Sequence, residues 1–159
     1  MKEILYRAKR ADNKEWAFSN SLISFMQPNE EVFFTKLEMP VTTVFSSHGN
    51  ITSISGADAF DEIFFKVIPE TIGVFTGLRD KNGKRIFSGD IIKGFGVFDG
   101  RDGIAVVHWC DTTCSFGLWT VKDGDPTHYI LSNTLGKNLN DKLEVVGNNI
   151  DNTGICHVI

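Results

Sequence analysis

The residues with the most chemical potential form a thiol and imidazole series. His108-x-Cys110-x3-Cys114 is followed at a distance by Cys156-His157. Zinc takes tetrahedral sets of thiolate and imidazole ligands, most often from two closely spaced pairs of the C-x2-C kind. The three-residue gap between Cys110 and Cys114 departs from that spacing. Alternation along a strand at 104–109 puts His108 on the face of Val106, the face expected to turn inward. Free thiols and a core imidazole are therefore expected, with no metal.

Other chemistries leave weaker traces. A nucleophile needs a base and an orienting acid. The chain has four His, at 48, 108, 128 and 157, and no G-x-S-x-G elbow. Gly94-Phe95-Gly96-Val97-Phe98-Asp99-Gly100 is glycine-rich but lacks the Gly-Lys-Ser/Thr end of a phosphate loop, and no helical pattern follows it. Asp99 with Asp102, and Asp123 with Asp125, sit beside Gly in turns, where Asp is favoured for backbone reasons. No catalytic residue and no cofactor are expected. Phe75, Phe87, Phe95, Phe98 and Trp109 lie near Arg79, Lys81, Lys84, Arg85, Lys93 and Arg101. Aromatics interleaved with cations can bind single-stranded nucleic acid. The competing reading places the aromatics in the core and the cations at a hairpin tip.

Composition bounds these choices. The chain has 159 residues, 42% of them apolar, enough for one domain with its own core. A net charge of -4 argues against a general nucleic-acid coat. Three Cys, an odd number, argue against a secreted disulfide framework. The opening MKEILYRAKR is too charged for a signal peptide or a membrane span. Residues 76–101 hold six basic and three acidic groups, whereas 29–70 hold two basic and seven acidic ones. A solvated surface is the expected outcome for such stretches.

The elements that must position these groups read as short strands. Fifteen Gly and thirteen Phe, spread between turn residues, indicate an all-β chain with minor helix. Ile4, Tyr6 and Ala8 alternate, Asp12-Asn13-Lys14 turns, and Trp16 and Phe18 return. Strands are expected at 31–37, 41–45, 51–54 and 63–68, the last closed by Pro69, with a helical turn near 57–61. Further strands are expected at 72–78, 85–87, 90–93, 104–109, 116–121, 128–131 and 143–147. A flexible loop is expected at 94–103 and a turn at 122–126. Asn82-Gly83 is a strong hairpin signal, and one of the two should take a positive φ. Phe75 and Leu78 are three residues apart, so both can face inward only across a bulge, expected at Gly77.

Three landmarks in order carry a family resemblance. The central one is Phe75-Thr76-Gly77-Leu78, Asp80-Lys81-Asn82-Gly83-Lys84, Ile86-Phe87 and Gly89-Asp90-Ile91-Ile92. The opening MKEILYRAKR and the closing Leu143-Glu144-Val145-Val146-Gly147-Asn148 flank it. Together they resemble the YopX family of phage and prophage proteins. After Asn148 the sequence leaves the family pattern, running Asn149-Ile150-Asp151-Asn152-Thr153 where an aromatic and Asn-Pro-Glu are usual.

The resemblance implies a bent or forked antiparallel sheet forming a pseudo-barrel. It also implies a single domain over 1–159, most family-like at 71–148 and less recognisable at 19–68. It implies a non-enzymatic phage or prophage accessory protein in the bacterial host cytoplasm, and supplies no catalytic residue. A phage or host protein is the expected partner, with no membrane contact; short strands rich in Phe further suggest homo-oligomerisation through residues 19–68, which carry Phe25, Phe33 and Phe34. A small nucleic-acid-binding β-barrel is the alternative. Phe75, Thr76, Gly77, Leu78, Asp80, Asn82, Gly83, Gly89 and Asp90 are the motif residues. Arg79, Lys81, Lys84 and Arg85 are the candidate contacts to a partner or nucleic acid.

Overall fold

In a computed structural model, residues 4–26, 30–35, 64–98, 101–122, 125–131 and 140–153 are described. They form an all-β fold built mostly of antiparallel strand pairs. The chain divides into two compact units, Leu5–Ile72 and a second one of Gly73–Ile159 with Met1–Ile4. The expected helical turn at 57–61 and the strands at 41–45 and 51–54 lie outside the described residues.

In the first unit, β1 (Tyr6–Lys9) and β2 (Trp16–Ser19) make the expected hairpin. Its turn is held by side chains. The Asn13 carbonyl oxygen accepts from the Glu15 amide at 2.9 Å, and Arg10 pairs with Asp12 at 2.6 Å. Lys14 takes φ 63°, a left-handed conformation uncommon outside Gly and Asn. β3 (Leu22–Met26), β4 (Glu30–Thr35) and β5 (Phe64–Val67) form a three-stranded sheet in that order. β3 has no counterpart among the expected strands, because adjacent apolar pairs on either side of Ser24 give it no alternation. Pro69 ends β5 as expected by starting a 3-10 turn, where its fixed φ suits the first position. Ala8, Val32, Phe34 and Val67 are buried together, with Tyr6, Leu22, Phe65 and Ile72 packed against them. Phe34 is fully enclosed in this core, so it is not the interface residue expected from sequence.

In the second unit, β6 (Gly73–Arg79) and β7 (Arg85–Phe87) form the motif hairpin. A five-stranded sheet follows, with β8 (Asp90–Phe98), β9 (Arg101–Cys110), β10 (Ser115–Lys122), β11 (Asp125–Ile130) and β12 (Leu143–Asn148). The order is β11-β10-β9-β8-β12, an open sheet with β11 and β12 at its edges, not a closed barrel. One face buries Ile92, Ala105, Val107, Leu118, Leu131, Leu143 and Val145, joined by Leu78 and Ile86 from the hairpin.

Two expectations are corrected here. The glycine-rich stretch 94–103 is not a flexible loop: β8 runs on to Phe98 and β9 starts at Arg101, with Gly94 opposite Gly103 and Phe98 opposite Arg101. Register there is anchored by Ile91, Ile92, Ala105 and Val106, and the pairing absorbs a shift between Gly94 and Phe98, which glycines tolerate. The inward face of β9 is that of Ala105 and Val107, both buried. Val106 and His108 therefore point to the other face.

Candidate functional site

The motif hairpin explains most of its own residues. Phe75 and Leu78 are both buried, and Gly77 between them sits at φ 86°. Phe75 pairs with Phe87 and Arg79 with Arg85, so β6 carries extra residues, the bulge expected at Gly77. The Thr76 hydroxyl donates to the Ile86 carbonyl at 2.9 Å across the hairpin. Gly83 takes φ 78° at the tip, next to exposed Asn82. Gly89 takes φ 82°, and a Cβ there would meet Asn149 Oδ1 at 2.6 Å.

Two carboxylates organise the backbone. Asp80 is only 4% exposed. Its Oδ1 accepts from the amides of Asn82 at 2.8 Å and Lys84 at 2.9 Å, and its Oδ2 accepts from Val145 at 3.0 Å. Burial by itself makes such a carboxyl harder to ionise, pushing its pKa up. The amides of Val145, Lys84 and Asn82 and the Lys84 charge outweigh it, so Asp80 ionises below the ordinary range. Asp90 is fully buried, and its Oδ2 accepts from the Phe87 amide at 2.8 Å.

The cations of the hairpin are engaged within the chain. Arg79 donates to the Gly83 carbonyl at 2.8 Å, Lys81 pairs with Glu144 at 2.7 Å, and Arg85 lies 5.9 Å from the Phe75 ring centroid. Lys84 is exposed. Phe75 and Phe87 are buried against each other at 5.6 Å and offer no open face for a base. Of the aromatics singled out with them, Trp109 is exposed and stacks edge-on to Phe116 at 5.1 Å.

A second group lies on the face of the five-stranded sheet opposite the core. Strand register aligns Val106, Trp119 and His128 in one cross-strand row and His108, Gly117 and Ile130 in the next. Ile104 is 41% exposed, Trp119 44% and Ile130 46%. The His108 and His128 rings lie 4.8 Å apart at 71°, and Trp119 meets His108 edge-on at 5.3 Å. Gly117 makes this possible, because a Cβ there would fall 1.8 Å from His128 Nε2. Desolvation first, and the neighbouring His108 second, lower the affinity of His128 for protons. Sequence reasoning missed this pairing. Two His twenty residues apart carry no motif, and only the β9-β10-β11 register brings them together.

The thiols do not join them. Among the described residues, no three of His, Cys, Asp and Glu cluster as a metal site would require. Cys110 and Cys114 are free thiols. Hydrogen bonds from the Thr113 hydroxyl and amide draw the Cys110 thiol below its usual range. Cys156 and His157 lie outside the described residues. No helix among the described residues is long and apolar enough to cross a membrane.

A solved structure, protein EF1440 from Enterococcus faecalis, shares 19% identity over 96% of each chain, with a TM-score of 0.38. No curated protein matches. The family described as YopX protein matches residues 5–155, nearly the whole sequence, with the central and closing landmarks entire and the opening one from Leu5 onward. The chain belongs to the YopX family.

Proposed function

We propose that the chain is a non-catalytic protein-interaction module, an accessory protein of a phage or prophage acting in the host cytoplasm. The phage setting and the compartment rest on what the family resemblance implies. One observation carries the interaction reading. Ile104, Trp119 and Ile130 are exposed together on one face of three adjacent strands. Large apolar side chains gathered on a sheet face, with a Trp among them, are the usual make-up of a protein contact. The motif hairpin, by contrast, engages most of its polar groups within the chain.

The test is capture of partners from host lysate by the wild-type chain and by a Trp119→Ser/Ile130→Ser double variant, each with and without nuclease. A protein retained by the wild type, insensitive to nuclease and lost in the variant is the expected result. Recovery of nucleic acid alone would favour the nucleic-acid alternative. Equal capture by both chains would remove the sheet face from the proposal. Light scattering on the same two chains reads whether a second copy occupies the face.

A further inference from the structure

The outer face of the β1–β2 hairpin combines charge with aromatic surface. Tyr6 and Ala8 belong to the core of the first unit, so Arg7 and Lys9 share the opposite face of β1. Strand register sets Arg7 directly across from Phe18 and Lys9 directly across from Trp16. The cations therefore stand in a row on one strand and the aromatics in a row on the other. The Arg7 guanidinium lies 4.9 Å from the Trp16 ring centroid, and the Lys9 ammonium 5.5 Å from it. Phe18 is 44% exposed. An exposed Phe alone carries no meaning. This one faces Arg7 and continues the row of Trp16.

We propose that this face binds single-stranded nucleic acid, with phosphates along the Arg7–Lys9 row and a base stacked on Phe18. Non-specific single-strand sites combine cations that track the backbone with aromatic rings that take the bases. Residues 6–10 hold three cations and no acid, although the whole chain carries a net charge of -4. The acids of the hairpin, Asp12 and Glu15, lie in its turn, held by Arg10 and Asn13.

The geometry suits this ligand over others. Side chains two residues apart on a strand are about 6.6–6.8 Å apart, an interval that successive phosphates of an extended strand can follow. Guanidinium donors lie in the plane of the group, so an Arg resting on an indole presents its edge to a phosphate oxygen. A duplex keeps its bases in their stack and offers none to Phe18. An acidic peptide could meet the cations but would leave the ring unused. The face lies in the first unit. It is distinct from the Ile104, Trp119 and Ile130 surface of the interaction reading, and from the cations of the motif hairpin.

The experiment titrates the full chain into a short fluorescein-labelled oligothymidine at low salt. It is read by anisotropy and by the indole proton–nitrogen signals of the three Trp. Saturable binding is expected, with the Trp16 signal shifting and those of Trp109 and Trp119 unmoved. Arg7→Gln/Lys9→Gln should weaken binding about tenfold or more and flatten its salt dependence. Phe18→Ser should weaken it about fivefold or more with the salt dependence unchanged, because stacking is lost and no charge is. Lys142→Gln removes an exposed cation of the second unit and should leave the affinity within about twofold. The Trp16 signal of the wild-type chain decides even where a variant is poorly folded. The proposal is overturned if the oligonucleotide does not bind at low salt, or if it binds without moving Trp16. It is overturned equally if a duplex or polyglutamate of the same length binds as tightly, or if Phe18→Ser keeps full affinity.

Discussion

Asp80 is the single side chain on which most of the motif depends. It receives three backbone amides, two from its own turn and one from Val145. Truncation strands the buried Val145 amide, worth about 1–3 kcal/mol, and frees two partly buried ones, so Asp80→Ala should lower stability by about 3 kcal/mol in denaturant titration. The acid response follows from the depressed ionisation. A carboxyl that ionises below its unfolded value of about 3.9 contributes fully above that pH and loses its contribution as pH falls through the folded value. Wild-type stability should therefore drop steeply below about pH 4, and Asp80→Asn should flatten that limb. Asp12, drawn down to about 2 by its hydrogen bond to Arg10, is solvent-exposed and adds little to the limb. At the tip, Gly83→Val should cost about 1 kcal/mol or more because of its positive φ, and Lys84→Ala less than about 0.5 kcal/mol. Equal melting shifts for these two variants would show that turn chemistry does not hold the hairpin.

The strands were legible where alternation and turn chemistry agreed. Tyr6 and Ala8 with Asp12-Asn13, and Phe75 to Phe87 around Asn82-Gly83, both declared their hairpins, and even the Gly77 bulge followed from the three-residue gap between Phe75 and Leu78. Glycine hides a strand where it sits inside a ladder. Gly94 and Gly103 face each other inside a paired ladder whose register is set by the flanking Ile and Val residues. The sense of His108, inward or outward, is hidden too, because it depends on one residue of phase within β9. Gly117 is the test at this scale. Gly117→Ala places a methyl where His128 Nε2 sits, so the ring must leave. The variant should stay folded, separate the His108 and His128 signals in imidazole spectra, and raise the His128 proton affinity towards its ordinary value as desolvation is relieved. An unchanged His128 titration would show that the ring is not held over Gly117.

At the scale of the whole chain, the family match spans both compact units, although most of the recognisable motif lies in the second. The first unit has its own core around Phe34, a ring set between Tyr6 at 6.4 Å and Phe65 at 6.0 Å. Phe34→Ala should cost about 3–5 kcal/mol, the range for truncating a buried aromatic. If the two units melt separately, calorimetry of this variant should move one transition and leave the other in place. A single transition that shifts as a whole would show that they unfold together. Net charge alone was a poor guide to contacts here. Arg79, Lys81 and Arg85 form a basic run in sequence, yet each is engaged by a neighbouring carbonyl, carboxylate or ring.

The bond from the Val145 amide to Asp80 also sets an order of events. It joins residues 65 apart, and the Lys81 amide to the Leu143 carbonyl reinforces it at 2.9 Å. Closing a loop of that length costs roughly 4 kcal/mol of chain entropy beyond a constant, so the contact belongs late in folding. During synthesis the motif turn can form its two local amide bonds as soon as residue 84 has emerged. The third must wait for the segment that carries Val145. Until then the hairpin keeps a hydrated carboxylate at its base and an incomplete clamp. A nascent chain stalled before residue 145 should bury its hairpin poorly and be cleaved there by protease, and extension past β12 should abolish that cleavage in a single step.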